Sequence, residues 1–490
     1  MPRRLTYLLV WLALTAEIEG EIFAGKWSTP LTWLGTFLFT PSALKLPVWD
    51  FLVFGALALA VARKGARRNR VRPVLTSMLV SLASLGALWV WGVARGGDVR
   101  QTTWQLHLFV MAFVVAHLVV ASCRTVAHYT QLGKVILAAA LYRAFILIVF
   151  RFTVAPTLVP WPQTMTTHSD TALFVVGIVL LVVDAVERRT GTSVLRAVAL
   201  TIPIALAIHW NNRRLAWLSL GLSLALVYLL LPAGPVRRRI NQAITVLVPL
   251  AALYVIVGWE RTERIFKPVR SIATMIGSQA DASSETRDIE NWNLIQTLKT
   301  SPLLGLGFGH EYHEYSVAYS IKEIFPQYRY IPHNSVLGLL AFTGLAGFTG
   351  TWQVFAVSAF FNARVLRVAR TPEARAVGLA SLVMLVAYML QAWGDMGLSA
   401  LTPGVLFAVS LAASARMPVL VGDWPSSASK ARIEVQDGEH PEDGEGHEGA
   451  EHASEPALRA AGPAGVGDGD RERPDQDAQE DDLRHRPAPR

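Results

Sequence analysis

One imidazole and three guanidinium groups, set in separate stretches of the chain, are the side chains best placed to act on an anionic substrate. His333 follows Pro332 and precedes Asn334, where a polar stretch gives way to apolar sequence. An imidazole titrates near neutrality and can take a proton from an attacking hydroxyl, and the Asn334 amide offers a neutral hydrogen-bonding group beside it. Arg287 lies in Ser283-Ser284-Glu285-Thr286-Arg287-Asp288-Ile289-Glu290-Asn291-Trp292. There Ser283 or Ser284 would cap a helix and Glu285 would favour its first turn. Ser301-Pro302 would end it. Ile289, Trp292 and Gln296 would share one face of this helix, Arg287 and Asn291 another. Arg213 and Arg214 stand in Trp210-Asn211-Asn212-Arg213-Arg214-Leu215-Ala216-Trp217, between two apolar runs. A guanidinium presents a planar fork of donors that matches phosphate oxygens. Each residue also has an ordinary explanation: a histidine bonded to its own loop, a solvated arginine, arginines reaching for headgroups.

Two more arginines lie inside an apolar run, Arg143 near its middle and Arg151 near its end. A charge at the first depth costs at least about 2.5 kcal/mol on insertion scales, so Arg143 should face a polar cavity or an acid, with Asp184 and Asp395 as candidates. Arg151 can reach the headgroups by extending its side chain. Other patterns carry less. Gly305-x-Gly307-x-Gly309 is not followed by Lys-Ser/Thr and sits in no βαβ unit, which argues against a nucleotide loop. His310 and His313, with Glu311 and Glu314, match no strong zinc spacing, so no metal site is expected.

The elements that must position these groups are membrane helices. The 490-residue chain is 52% hydrophobic, ordinary for a polytopic membrane protein and odd for a soluble one. About 20 apolar residues cross the hydrocarbon. By that measure twelve spans are expected: a first segment from Leu5, then about 47–62, 73–94, 105–122, 134–155, 170–186, 195–210, 214–231, 241–258, 333–361, 376–394 and 400–413. Leu31–Phe39 is too short to span. The first segment resembles a signal peptide, but no small-x-small cleavage pattern follows it. One set of short loops holds 20 Lys and Arg and the alternate set holds 6. The positive-inside rule then places both termini in the cytoplasm and the 74-residue segment 259–332 outside. The expected organisation is an all-α membrane protein: N-terminal helices over 1–258, a periplasmic loop at 259–332, C-terminal helices over 333–421 and a tail at 422–490. Residues 423–490 hold 18 of the 37 acidic residues and 8 of the 45 basic ones. With few large apolar side chains that tail should be disordered. The basic body orients helices and does not point to nucleic acid. Cys123 is the single cysteine, so no internal disulfide forms.

Taken in order, Asn212-Arg213-Arg214-x-Ala216-Trp217, then Arg287…Trp292…Pro302-Leu303-Leu304-Gly305-x-Gly307, then His333-Asn334-x-x-Leu337-x-x-Leu340-x-x-x-Gly344-Leu345-x-Gly347, resemble the O-antigen ligase and polymerase family. The likeness covers roughly residues 45–415, with its motifs between 211 and 347. It implies a bacterial inner-membrane glycosyltransferase of GT-C-like fold with no cofactor. The implied donor is a glycan on undecaprenyl diphosphate, and the acceptor a sugar hydroxyl on another glycan or on a lipid A core. Arg214, Arg287 and His333 would be the catalytic residues, with Arg213, Asn334, Arg143 and Arg151 as substrate contacts. The family usually has a small residue where Arg213 stands, so either arginine of the pair can be the acting one. A flippase and a chain-length regulator are the implied partners. A transporter of lipid-linked oligosaccharide is the rival from another class, although it has no need of a structured loop ending in a histidine.

Overall fold

Helix starts follow ordinary capping chemistry. The side chains of Asp98, Thr125, Thr190, Asn334 and Thr371 each accept a backbone N–H from the first turn of the helix that follows. The computed structural model describes residues 2–16, 27–29, 31–41, 46–63, 70–162, 164–261, 263–266, 269, 282–317 and 326–425. Among these are fourteen α-helices and no strand. They are α1 (Pro2–Thr15), α2 (Thr32–Phe39), α3 (Val48–Val61), α4 (Arg72–Ala94), α5 (Val99–Ser122), α6 (Val126–Thr153) and α7 (Asp170–Arg188). Then come α8 (Gly191–Asn211), α9 (Arg214–Leu230), α10 (Pro235–Gly258), α11 (Ala282–Thr300), α12 (Ser335–Val368), α13 (Pro372–Gly394) and α14 (Leu401–Leu420).

A helix stands at each of the twelve places where the apolar runs predict a span. Eight of them, α4, α5, α6, α8, α10, α12, α13 and α14, are long and apolar enough to cross a membrane. The protein is therefore a multi-pass membrane protein. The other four fall short for identifiable reasons. Helices α1 and α3 have 14 residues each and α9 has 17, while α7 carries Asp170, Asp184, Glu187 and Arg188. Helix α2 has 8 residues, as its short apolar run predicts.

Helix α14 is the axis of the bundle, packed against α5, α13 and α12. Its Phe407 stacks on Tyr388 at 4.5 Å and on Phe355 at 4.6 Å, tying α12, α13 and α14 together. Helix α10 is the opposite case and buries none of its span against the rest of the protein. The chain stays attached to the bundle just beyond α14. Asp423 takes the Arg364 guanidinium at 2.7 and 2.8 Å, and Trp424 lies edge-on to Phe361. The remainder of the acidic tail, from residue 426, is outside the described residues.

Helix α12 is broken at Gly344, whose φ of 60° and ψ of −173° suit glycine alone. A break frees two carbonyls above it and two N–H groups below, and the segment 302–307 takes up all four. Leu306 and Gly307 donate to the carbonyls of Ala341 and Phe342 at 3.0 and 2.8 Å. Leu345 and Ala346 donate to those of Pro302 and Leu303 at 2.9 and 3.1 Å. Irregular backbone survives in a membrane protein only when it is buried and satisfied in this way. The glycine-rich stretch is therefore a splint: Gly305, Gly307 and Gly309 all have positive φ, and beyond α12 the strand of chain runs on to the turn between α4 and α5. There Gly309 donates to Gln105 Oε1 at 2.6 Å and its carbonyl accepts from Asp98.

Candidate active site

The turn between α8 and α9 is sharp because Asn212 adopts the left-handed conformation (φ 53°), which asparagine tolerates better than most residues. Asn211 fixes the turn by accepting from the Thr166 N–H at 3.0 Å. Arg213 is then the extended residue ahead of α9 and Arg214 is that helix's first residue. Both are half-buried. The start of α9 rests on the end of α13, where a Cβ at Gly394 would lie 2.7 Å from Leu215 Cδ1.

That end of α13 is where the separate stretches meet. The Gly394 carbonyl accepts from Arg287 Nη1 at 2.9 Å, and the Asp395 carbonyl accepts from Ser335 Oγ at 3.3 Å. The Asp395 carboxylate is 3% exposed. It takes the His168 imidazole at 2.5 Å, the Met396 N–H at 2.9 Å and the Gln391 amide at 3.3 Å. Burial pushes this carboxyl up, but His168, the Met396 N–H and the nearby Arg287 outweigh it, and the group is held below the usual carboxylate value. Burial likewise lowers Arg213, with Asp395 opposing the shift and Arg287 adding to it. A guanidinium stays charged through such a change. Arg213, Arg287 and Asp395 thus form one electrostatic group. Arg213 Nε is buried and lacks a hydrogen-bond partner among the described residues. An unpaired N–H on a buried cation is costly, and an anionic oxygen would satisfy it.

Helix α11 carries Arg287 and ends at Thr300, where Ser301-Pro302 predicts it to stop. It begins at Ala282, so Ser283 and Ser284 fall inside the first turn; their side chains lie outside the described residues. Its buried face is not the one that Ile289, Trp292 and Gln296 would form, since Trp292 is 46% exposed. Instead Glu290, Asn293 and Thr297 are buried. Asn293 bonds the backbone of Tyr315 and Ser316 at 2.7–3.1 Å, and Thr297 accepts from the His313 N–H at 2.9 Å. Glu290 faces the start of α12 and meets His333 there. Its carboxylate accepts from the His333 backbone N–H at 3.2 Å and from Nδ1 at 3.2 Å. Neither Glu290 nor His168 stands out in the sequence, because each is a single polar residue with no local pattern around it, and Asp395 enters there only as a candidate acid for Arg143.

Four of the sequence-predicted residues, Arg213, Arg214, Arg287 and His333, are thereby brought to one end of the bundle. Asn334 sits beside them, with its Oδ1 engaged by the Leu337 N–H as the cap of α12. Arg143 and Arg151 have other attachments. The Arg143 fork, 5% exposed, grips Asp170 through Nε at 3.0 Å and Nη2 at 2.7 Å, and Thr166 bonds the same carboxylate. The acid is Asp170, at the start of α7, and not Asp184, which holds Arg188 and Arg196, or Asp395. Arg151 lies over the Trp161 ring at 4.4 Å. Arg143→Leu should therefore act on folding, costing about 3–5 kcal/mol by leaving Asp170 buried and unpaired. Thermal unfolding in detergent measures this, and Asp170→Asn in the same chain should recover part of the loss. Wild-type unfolding with impaired turnover would instead make Arg143 a substrate contact. A largely apolar cavity of about 310 Å³ edged by Lys134, Asp184, Glu187 and Arg196, and one of about 410 Å³ among Arg3, Arg4, Arg63 and Arg124, open at the other end of the bundle and include none of Arg213, Arg214, Arg287 and His333.

Residues 198–352 match the O-antigen ligase family. The matched region takes in α8 from Val198, α9 to α11, and α12 as far as Trp352, and so includes Arg213, Arg214, Arg287, Glu290, His333 and the Gly344 break. His168 and Asp395 lie outside it and join the site from the connections before α7 and after α13. No curated protein matches the chain.

Proposed function

We propose that this protein transfers a glycan from undecaprenyl diphosphate to a sugar hydroxyl at the periplasmic face of a bacterial inner membrane, as a polysaccharide polymerase or O-antigen ligase. The observation that carries the reading is the meeting of Arg213, Arg287 and the His333–Glu290 pair around the ends of α9, α11, α12 and α13, with one buried guanidinium N–H unpaired. The acceptor oxygen attacks the anomeric carbon from the face opposite the lipid diphosphate. As that bond forms, the hydroxyl proton passes to His333 Nε2, and the carbon–oxygen bond to the diphosphate breaks with its electron pair leaving on the phosphate. The configuration at carbon inverts. Negative charge gathers on the departing diphosphate, where Arg213, Arg214 and Arg287 stabilise it in the role a divalent ion fills elsewhere. In this arrangement the twelve helices predicted to span do so, in a GT-C-like bundle. Both termini are cytoplasmic, and α11 and the start of α12 face the periplasm. A flippase would deliver the donor and a chain-length regulator would accompany polymerisation.

Purified protein given the lipid extract of cells lacking its gene, which holds donor and acceptor together, should release lipid diphosphate in the presence of a chelator. Retention of the donor, or turnover only after a divalent ion is restored, would overturn the reading. Surface glycan from the same cells separates the two products. Single repeat units still attached mark a polymerase; none attached marks a ligase.

A further inference from the structure

We infer that Glu290 is the positioning residue for His333: it holds Nδ1 protonated and so leaves the Nε2 lone pair for the acceptor hydroxyl. The inference rests on the proposed function and assigns to that site a residue outside the motifs of the family resemblance. Glu290 is 6% exposed on a helix whose other faces are wet, and no arginine or lysine pairs with it among the described residues. Among the described residues its side-chain hydrogen bonds all go to one residue, the backbone N–H and the imidazole of His333. A carboxylate can only accept, so the nitrogen 3.2 Å from Oε2 must carry the hydrogen and the proton of a neutral ring sits on Nδ1. Nε2 makes no hydrogen bond among the described residues, and the side chain is 24% exposed. The other tautomer would put a lone pair against the carboxylate and a hydrogen where the base is needed.

The same carboxylate has a second effect. When Nε2 takes the acceptor proton the ring becomes a cation, next to a cluster that already holds Arg213 and Arg287. Glu290 is the anion in contact with that ring, so its charge favours the state formed during the reaction over the neutral resting state. The backbone bond adds rigidity. With Oε1 and Oε2 each 3.2 Å from the His333 nitrogen of the main chain, ring and backbone are fixed by one side chain. Asn334 then caps α12, and Pro332 packs against Gly338 in its first turns. The ring is therefore set at a fixed angle to the helix end.

Glu290→Gln keeps the shape and removes the charge, and its amide can donate to Nδ1, which selects the unreactive tautomer. It should lower kcat about 10²–10³-fold, within the range general-base catalysis supplies, and leave the donor KM close to wild type. His333→Ala should lose as much or more. The double variant should be no slower than His333→Ala alone, because a residue acting only through the ring has nothing left to position. Glu290→Asp, which retains the charge, should keep part of the turnover and reports in place of the glutamine variant should that one not fold. All four are measured on purified full-length protein with the lipid extract of the deletion strain. An active His333→Ala would overturn the glycosyl-transfer reading itself. With His333→Ala inactive, wild-type kcat in Glu290→Gln, a loss confined to KM, or losses that multiply in the double variant would overturn the positioning role and leave that reading standing.

Discussion

Arg287→Ala should reduce kcat about 10²–10³-fold, the effect of removing about 3–4 kcal/mol of transition-state charge stabilisation, while the protein still folds and reaches the membrane. The two halves of this expectation come from different observations. Among the described residues Arg287 makes one side-chain hydrogen bond, to the Gly394 carbonyl, whose net worth is about 1 kcal/mol. Its other N–H groups have no partner among the described residues, and it shares an electrostatic environment with Arg213 and Asp395. The diphosphate gains negative charge as the glycosyl bond breaks, so the loss should be larger in kcat than in donor affinity. Arg287→Lys keeps a positive charge and loses the planar fork, and should fall between the two. Release of lipid diphosphate, normalised to folded protein, is the measurement. Normal turnover in the alanine variant would remove Arg287 from the reaction.

The sequence was most legible where one physical rule acts alone. Hydrocarbon thickness marks each apolar run, and helices stand at all twelve. The cost of a charge in an apolar run requires an acid for Arg143, and one is present. Which acid was not legible. Asp170 meets Arg143 because of how α6 and α7 are set against each other along the bundle, a tertiary relation with no local signature. Glu290 was hidden for a related reason. On a helix with a wet exterior an extra glutamate reads as one more solvated charge, and periodicity arguments look for apolar faces. Helix α11 buries one apolar side chain, Leu294, and is otherwise attached by polar contacts, from Glu290, Asn293 and Thr297 to loop backbone and His333. His168 and Asp395 come from connections more than two hundred residues apart, and only packing joins them. The small residues around Gly344 read as an invitation to close helix packing. At Gly347 a helix does approach closely, through Leu88 of α4, but at Gly344 the close neighbour is a loop threaded through a gap in the helix.

Gly344→Ala should cost enough stability to deplete folded protein, in contrast to the modest effect of the same change at most helical glycines. A side chain at this φ and ψ costs about 1–3 kcal/mol in backbone strain alone. The added Cβ would also lie 2.3–2.5 Å from the carbonyl carbon and oxygen of Leu303 and the nitrogen of Leu304. These are main-chain atoms and cannot rotate away. Relief means withdrawing the 302–307 segment, which strands four backbone hydrogen bonds in the interior. At about 1–3 kcal/mol for each group left unsatisfied, the sum is comparable with the 5–15 kcal/mol that holds an ordinary domain together. Gly86→Ala in α4 is the control, since a Cβ there meets nothing within 4 Å. It should unfold within a few degrees of wild type, while Gly344→Ala should accumulate poorly and unfold much earlier in detergent. The same splint continues from Pro302 into α11, which carries Arg287 and Glu290, and α12 leads up to His333. Whatever Gly344→Ala protein survives should therefore also turn over slowly, because the break is what registers the arginine and its neighbouring carboxylate against the base. Wild-type unfolding in Gly344→Ala would mean that α12 closes over the gap at no cost, and the splint would have no part in holding the site.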